Sequence, residues 1–121
     1  MAMAIAHFAV GAMATALLLM VVAPRLLLSP TVVALGGTWA MAPDVHHVLP
    51  VGSEAVRAIH MSPWADVFWF HHLLDRVDPT DSVTFAAGTV LLLLVVLSAS
   101  ELVARFRTTP DVGFPVEDRH G

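Results

Sequence analysis

Apolar positions along this 121-residue chain gather into three long runs, at about 4–22, 26–43 and 83–106. A helix rises 1.5 Å per residue, so roughly 20 apolar residues cross a hydrocarbon core of about 30 Å. The first run meets that length and carries one imidazole, His7; its alanines and Gly11 make one side thin, which permits close helix approach in lipid. The second is less regular. Ser29-Pro30 has the form of a helix start, serine as cap and proline at the first helical position. The helix proper then covers only 31–42, with Gly36 and Gly37 in its middle. That length rises only about 18 Å. Either residues 26–28 continue the span or its C-terminal end stops below the interface, which would sink Asp44 towards the hydrocarbon. The third run is the cleanest, with 91–97 as its apolar centre.

Residues 43–82 form the one substantial polar segment between the runs. Pro50-Val51-Gly52 marks a turn, and Ser53 is placed to cap a short helix through about residue 61. Ser62-Pro63 repeats the cap-and-proline pattern and predicts a second helix through about 77. That helix carries Trp64, Phe68, Trp69 and Phe70, an aromatic density suited to the membrane interface. The pattern therefore predicts an all-α integral membrane bundle with three transmembrane spans and an interfacial helical loop over 53–77. Residues 1–107 make up this transmembrane domain, and 108–121, with two prolines, two glycines and mixed charge, read as a disordered polar tail.

Composition agrees. Apolar residues make up 57% of the chain and charged ones 13%, which places it among membrane proteins. A single small soluble domain could not hide so much apolar surface. There is no cysteine, which excludes disulfides, thiolate metal sites and cysteine nucleophiles. Lysine is also absent, and a net charge of −4 offers no basic patch for nucleic acid. The first run lacks the basic flank of a secretory signal and is long for one, so it reads as a retained span. Arg25, Arg105 and Arg107 flank runs on one side, whereas Arg57 and Arg76 on the other are offset by acidic residues. By the positive-inside rule this predicts a multi-pass protein of the cell membrane with a cytoplasmic C-terminus.

The three runs also sort the chemistry. His7 begins the first, Asp44, His46 and His47 follow the second, and His71, His72, Asp75, Asp78 and Asp81 precede the third. Three crossings force all of them onto one face, the extracytoplasmic one by the arginine rule. Histidine and aspartate are natural ligands of zinc and other divalent ions, and a catalytic zinc needs three ligands plus an open position. Candidate ligands are His7, Asp44, His46, His47, His71 and His72; adjacent His46 and His47 diverge on a helix, so at most one of them ligates. His71 and Asp75 share a helical face at i,i+4. The pair Asp44 and His47 has the weakest structural explanation, because an aspartate at a helix C-terminus opposes the dipole and a cation nearby would offset that cost. Asp75 and Asp81 are the candidate catalytic carboxylates. Others have simpler explanations. Asp78-Pro79 resembles a helix cap, Asp66 suits a helix dipole, His60 reads as a surface residue, Glu101 and Arg105 form an i,i+4 pair, and His120 lies in the tail.

These residues resemble a bacterial family of small membrane-bound, metal-dependent hydrolases, the LexA-binding inner-membrane-associated hydrolases. That family's pattern is an early His-x-x-x-Gly, a Pro-Asp-x-Asp-His after a small-residue span, and a His-Arg-Gly-x-Thr-His-Ser run opening a later span. Here His7-Phe8-Ala9-Val10-Gly11 is similar to the first, Pro43-Asp44-Val45-His46-His47 to the second, and Arg76-Val77-Asp78-Pro79-Thr80-Asp81-Ser82 to the third. The order matches over about residues 1–100. His46 stands for the second aspartate, Asp81 for the histidine before serine, and Arg76 for the first histidine of the last run, with His72 one turn earlier. Family members are generally longer, with more spans. The resemblance implies a divalent-metal-dependent hydrolase; the ligand types put zinc foremost, and a lipid or lipid-linked ester or phosphodiester is the substrate that could reach such a site.

Two other classes remain open at this stage. One is a non-catalytic anchor subunit of a larger membrane complex, of the kind that holds haem between histidines, although these histidines fall at span ends. The other is a structural protein whose small residues serve homo-oligomerisation. In every reading the partners are membrane lipids, and none is a nucleic acid.

Overall fold

The computed structural model describes residues 3–108, without the side chains of Leu27, Leu28 and Thr108. Every regular element among the described residues is helical: α1 (Ala4–Val22), α2 (Pro30–Ala40), α3 (Ser53–His60), α4 (His71–Val77) and α5 (Val83–Thr108). Single 3-10 turns, Pro24–Leu28, Ala42–His47 and Pro63–Val67, link them. The expected tail lies outside the described residues, apart from its first residue in α5. Two helices, α1 and α5, are long and apolar enough to cross a membrane.

The middle run does not form the continuous span expected over 26–43. Ser29 adopts an extended conformation (φ −98°, ψ 100°) between the 3-10 turn and Pro30, and α2 has only 11 residues. Proline takes the first helical position as predicted, but the Ser29 side chain makes no capping bond. At 1.5 Å per residue α2 rises about 16 Å, and the chain leaves it through the 3-10 turn that carries Asp44. The aromatic helix expected over 62–77 is also broken. Trp69 (φ 53°) and Phe70 (φ 59°) are left-handed, a conformation bulky residues rarely hold, and α4 starts only at His71. One tertiary contact and one local bond accompany this break. Trp39 stacks on Phe68 with ring centres 4.7 Å apart, and Asp66 accepts a hydrogen bond from the His72 backbone N–H at 2.9 Å.

α1 is central, packed against α2 on one side and α5 on another. Ala9, Ala12, Met13, Ala16 and Leu19 of α1 meet Val33 of α2 and Leu93 of α5. α2 runs antiparallel to α1, since Gly36 faces Thr15 and Gly37 faces Phe8. α5 runs parallel to α1: Ala6 clusters with Ala86 at one end, and Arg107 donates to the Met20 carbonyl at the other. Small residues set the α1–α2 distance. A Cβ on Gly11 would lie 2.8 Å from the Gly36 carbonyl oxygen, and one on Gly37 2.7 Å from the Phe8 ring. Close packing of this kind is what associates helices in a bilayer, where no hydrophobic driving force acts between them.

The start of α5 departs from expectation in detail. Ser82 caps it, its Oγ accepting from the Phe85 N–H at 3.2 Å. Asp78 is buried and accepts two bonds from the Ser82 N–H, at 2.8 and 3.0 Å, so it shapes the entry loop without capping the helix itself. Gly52, at φ 76°, occupies the cap position of α3 that Ser53 was expected to fill.

A buried histidine and aspartate cluster at one end of the bundle

The close α1–α2 contact brings the first turns of α1 against the last residue of α2 and the turn beyond it. His7, one turn before Gly11, is 1% exposed there. Asp44 comes from the 3-10 turn after α2, His60 from the last residue of α3, and His71 and Asp75 from one face of α4. Five side chains from four parts of the chain thus converge. His7 and His71 stack with ring centres 4.0 Å apart, which leaves no room for a macrocycle between them.

The distances are short and the groups are mostly acceptors. His7 Nε2 lies 3.3 Å from Asp75 Oδ1 and 3.9 Å from Asp44 Oδ2. His71 Nε2 lies 3.3 Å from Asp44 Oδ1, 3.2 Å from His60 Nδ1 and 3.8 Å from Asp75 Oδ2. His71 Nδ1 faces the Ala40 carbonyl oxygen at 3.3 Å. A carbonyl only accepts, so Nδ1 carries the proton and donates it there. In the neutral ring Nε2 then points a bare lone pair at a carboxylate. That is repulsive unless a proton or a cation lies between them. The same imbalance shows in the buried Asp44 Oδ2 and His7 Nδ1, which have no hydrogen-bond partner among the described residues; such atoms in a native interior call for an explanation such as an ion.

Electrostatics follow the geometry. Burial disfavours a charged His71, but the hydrogen bond and charge of Asp44, with Asp75 behind it, outweigh burial and raise its pKa above the ordinary 6.5. Burial opposes the Asp44 carboxylate too, yet His71 and the neighbouring imidazoles hold its carboxyl below the usual range. His60 goes the other way: burial first, then the charge of His71, push it down. His60 therefore stays a neutral ligand-ready imidazole.

Two overlapping donor sets satisfy the spacing of a metal centre, His7 with Asp44 and His71, and His60 with His71 and Asp75. The cluster could hold a metal ion. Among the residues singled out from sequence, His7, Asp44, His71 and Asp75 meet here. His46, His47, His72 and Asp81 do not join either set. The His46 ring bonds the Pro43 carbonyl at 2.7 Å and lies tilted against the His47 ring, while Asp81 is an exposed, left-handed residue (φ 54°). His60, expected at the surface, is 5% exposed and belongs to the cluster. The sequence signal for it was faint: Ser53, Val56 and His60 share the inner face of α3 at helical spacing.

Beside the cluster lies an open, largely apolar groove of about 940 Å³. Met3, Thr38, Met41, Val45 and Val48 form its wall, and Asp44, His47 and Asp81 are its polar groups. No family model matches this chain, and no curated protein or solved structure shows detectable similarity to it.

Proposed function

We propose that this protein is a membrane-embedded, divalent-metal-dependent hydrolase acting on a lipid or lipid-linked ester or phosphodiester. The observation that carries this reading is the convergence of His7, Asp44, His60, His71 and Asp75, the imidazoles buried and the carboxylates partly so, at one end of an apolar bundle. Imidazole nitrogens with carboxylate oxygens suit zinc. An ion held by them supplies a Lewis acid able to bring the pKa of water towards ~7. Asp44 is both a donor and part of the groove wall, so an acyl or isoprenoid chain lying along Met41, Val45 and Val48 brings its polar head to the donors. Asp81, on the same wall and outside the donor sets, is the carboxylate that takes up a proton there. The resemblance of the three motifs to the LexA-binding inner-membrane-associated hydrolases supports the same reading.

The membrane arrangement is part of the proposal. With α1 and α5 crossing in one direction, the intervening chain returns through short α2 and its flanking turns, giving three crossings, the middle one broken. Arg25 and Arg107 lie at the end opposite the cluster. The positive-inside rule then places the cluster on the extracytoplasmic side.

The test is metal content by inductively coupled plasma mass spectrometry after purification in mild detergent, with turnover of lipid esters and phosphodiesters. Bound ion is expected, with its loss and about a 10²-fold fall in turnover in His7→Ala and Asp44→Ala. Asp81→Asn is expected to keep the ion and lose turnover by about 10²-fold. A metal-free protein with undiminished turnover in the first two variants would overturn the reading.

A further inference from the structure

The two carboxylates of the cluster are shared in a particular way. Asp44 turns Oδ2 to His7, at 3.9 Å, and Oδ1 to His71 and His60, at 3.3 and 3.7 Å. Asp75 does the same, with Oδ1 3.3 Å from His7 Nε2 and Oδ2 3.8 Å from His71 Nε2; Oδ2 also lies 3.8 Å from His60 Nε2, the ring nitrogen other than the one that faces Asp44. Each carboxylate thus has one oxygen on the His7 side and the other on the His60–His71 side. From this we infer that the cluster holds two divalent ions bridged by Asp44 and Asp75, one on the side of His7 and one on the side of His60 and His71.

The spacing fits each half. Two ligands on one ion at zinc distances of 2.0–2.1 Å, at a tetrahedral angle, lie roughly 3.3–3.4 Å apart. His60 Nδ1, His71 Nε2 and Asp44 Oδ1 are separated by 3.2, 3.3 and 3.7 Å, close to one face of such a tetrahedron. His7 Nε2 and Asp75 Oδ1 form a matching edge at 3.3 Å on the other side. A single ion cannot use both oxygens of both carboxylates together with three imidazoles at these separations. Nor can the one nitrogen His71 Nε2 serve both donor sets on two ions. Assigning it with His60 leaves His7 with the other carboxylate oxygens and accounts for all five side chains. The orphaned Asp44 Oδ2 becomes the bridging atom on the His7 side.

Charge selects the substrate class. Two divalent ions against two carboxylates leave a net charge of +2, and a bound phosphate ester supplies the balancing anion. Paired ions about 3.5–4 Å apart clamp the attacking and leaving oxygens of a phosphoryl centre. Within the hydrolase reading on which this inference rests, this excess positive charge favours a lipid phosphate ester as the substrate.

The experiment uses the full chain in detergent micelles, stripped with chelator and titrated with Mn(II) or Zn(II). Two ions per chain at saturation are expected, with a Mn(II) spectrum in electron paramagnetic resonance showing exchange coupling between neighbours. His60→Ala is expected to retain one ion and lose the coupling, with circular dichroism checking that it still folds. Saturation of the unaltered protein at one ion, with an uncoupled six-line spectrum, would overturn the pair while leaving a mononuclear hydrolase standing. No binding at all would overturn both. Hydrolysis of carboxylic esters in preference to phosphate esters by the two-ion protein would overturn the substrate class alone.

Discussion

His71 is held between a backbone carbonyl on one nitrogen and a carboxylate on the other, and this fixes how the cluster answers to pH. In the ion-free protein its raised pKa contributes stability that is fully present below the unfolded value of 6.5 and is lost as pH rises through the folded value. Asp44 acts in the opposite sense. Its depressed pKa contributes stability present above the ordinary 3.8 and lost as pH falls through the folded value. The ion-free chain is thus expected to be best stabilised by this pair between those two ordinary values. An ion must displace the His71 proton, so metal affinity is expected to fall on acidification from a pH already above 6.5. Isothermal titration of Zn(II) across pH 5.5–8.5 checks this, and affinity independent of pH through that range would contradict it. At this scale the sequence was partly legible. His7, Asp44, His71 and Asp75 could be named because runs of apolar residues dictate which polar groups share a face. His60 was hidden, since its burial depends on where an eight-residue helix docks and not on its own neighbours.

Between α1 and α2, three glycines do what side chains do elsewhere: they set a distance on which the cluster depends. Ala40, whose carbonyl holds His71, lies one turn after Gly36 and three residues after Gly37. A Cβ at 37 would meet the Phe8 ring at 2.7 Å and the Phe8 carbonyl oxygen at 2.9 Å, and the latter is backbone that cannot swing aside. Gly37→Ala is expected to destabilise the bundle by about 1–3 kcal/mol through overpacking. It is also expected to weaken ion binding, because the end of α2 retreats from His7. Gly88→Ala is the control, as nothing lies within 4 Å of a Cβ there. Denaturant unfolding in micelles with parallel metal titration compares them; equal effects at 37 and 88 would remove the packing argument. Periodicity located α1 and α5 within a residue or two of their observed ends. It failed over 62–77, where no glycine or proline announces the left-handed Trp69 and Phe70; that break goes with the tertiary Trp39–Phe68 stack and the local bond between Asp66 and the His72 N–H.

Seen whole, the bundle is polarised. Histidines and aspartates gather at the start of α1 and α5, and Arg25 and Arg107 at their far ends. The absence of cysteine makes the membrane side directly measurable. A single Val51→Cys, in the exposed turn before α3, is expected to react with a membrane-impermeant maleimide added outside intact cells. Labelling only after the membrane is opened would reverse the orientation. Hydropathy alone did not show the break in the middle run, because a run interrupted by an extended serine scores the same as an unbroken one. The parallel direction of α1 and α5 was not legible either, since it follows from how the helices pack.

Asp75 stands 68 residues beyond His7 in the chain, and this separation has a consequence for biosynthesis. As the protein emerges from the ribosome, α1, if it spans the bilayer as proposed, reaches it with its imidazole while Asp44, His60, His71 and Asp75 have yet to be made. For that interval the first helix carries a lone polar ring into an apolar phase, so it is a poorer inserting segment than its hydropathy indicates. If the cluster holds an ion, both donor sets are complete only after α4 has been synthesised, with α5 still to come. Ion capture would then belong to a late stage of assembly, one that a truncated nascent chain has no means to anticipate.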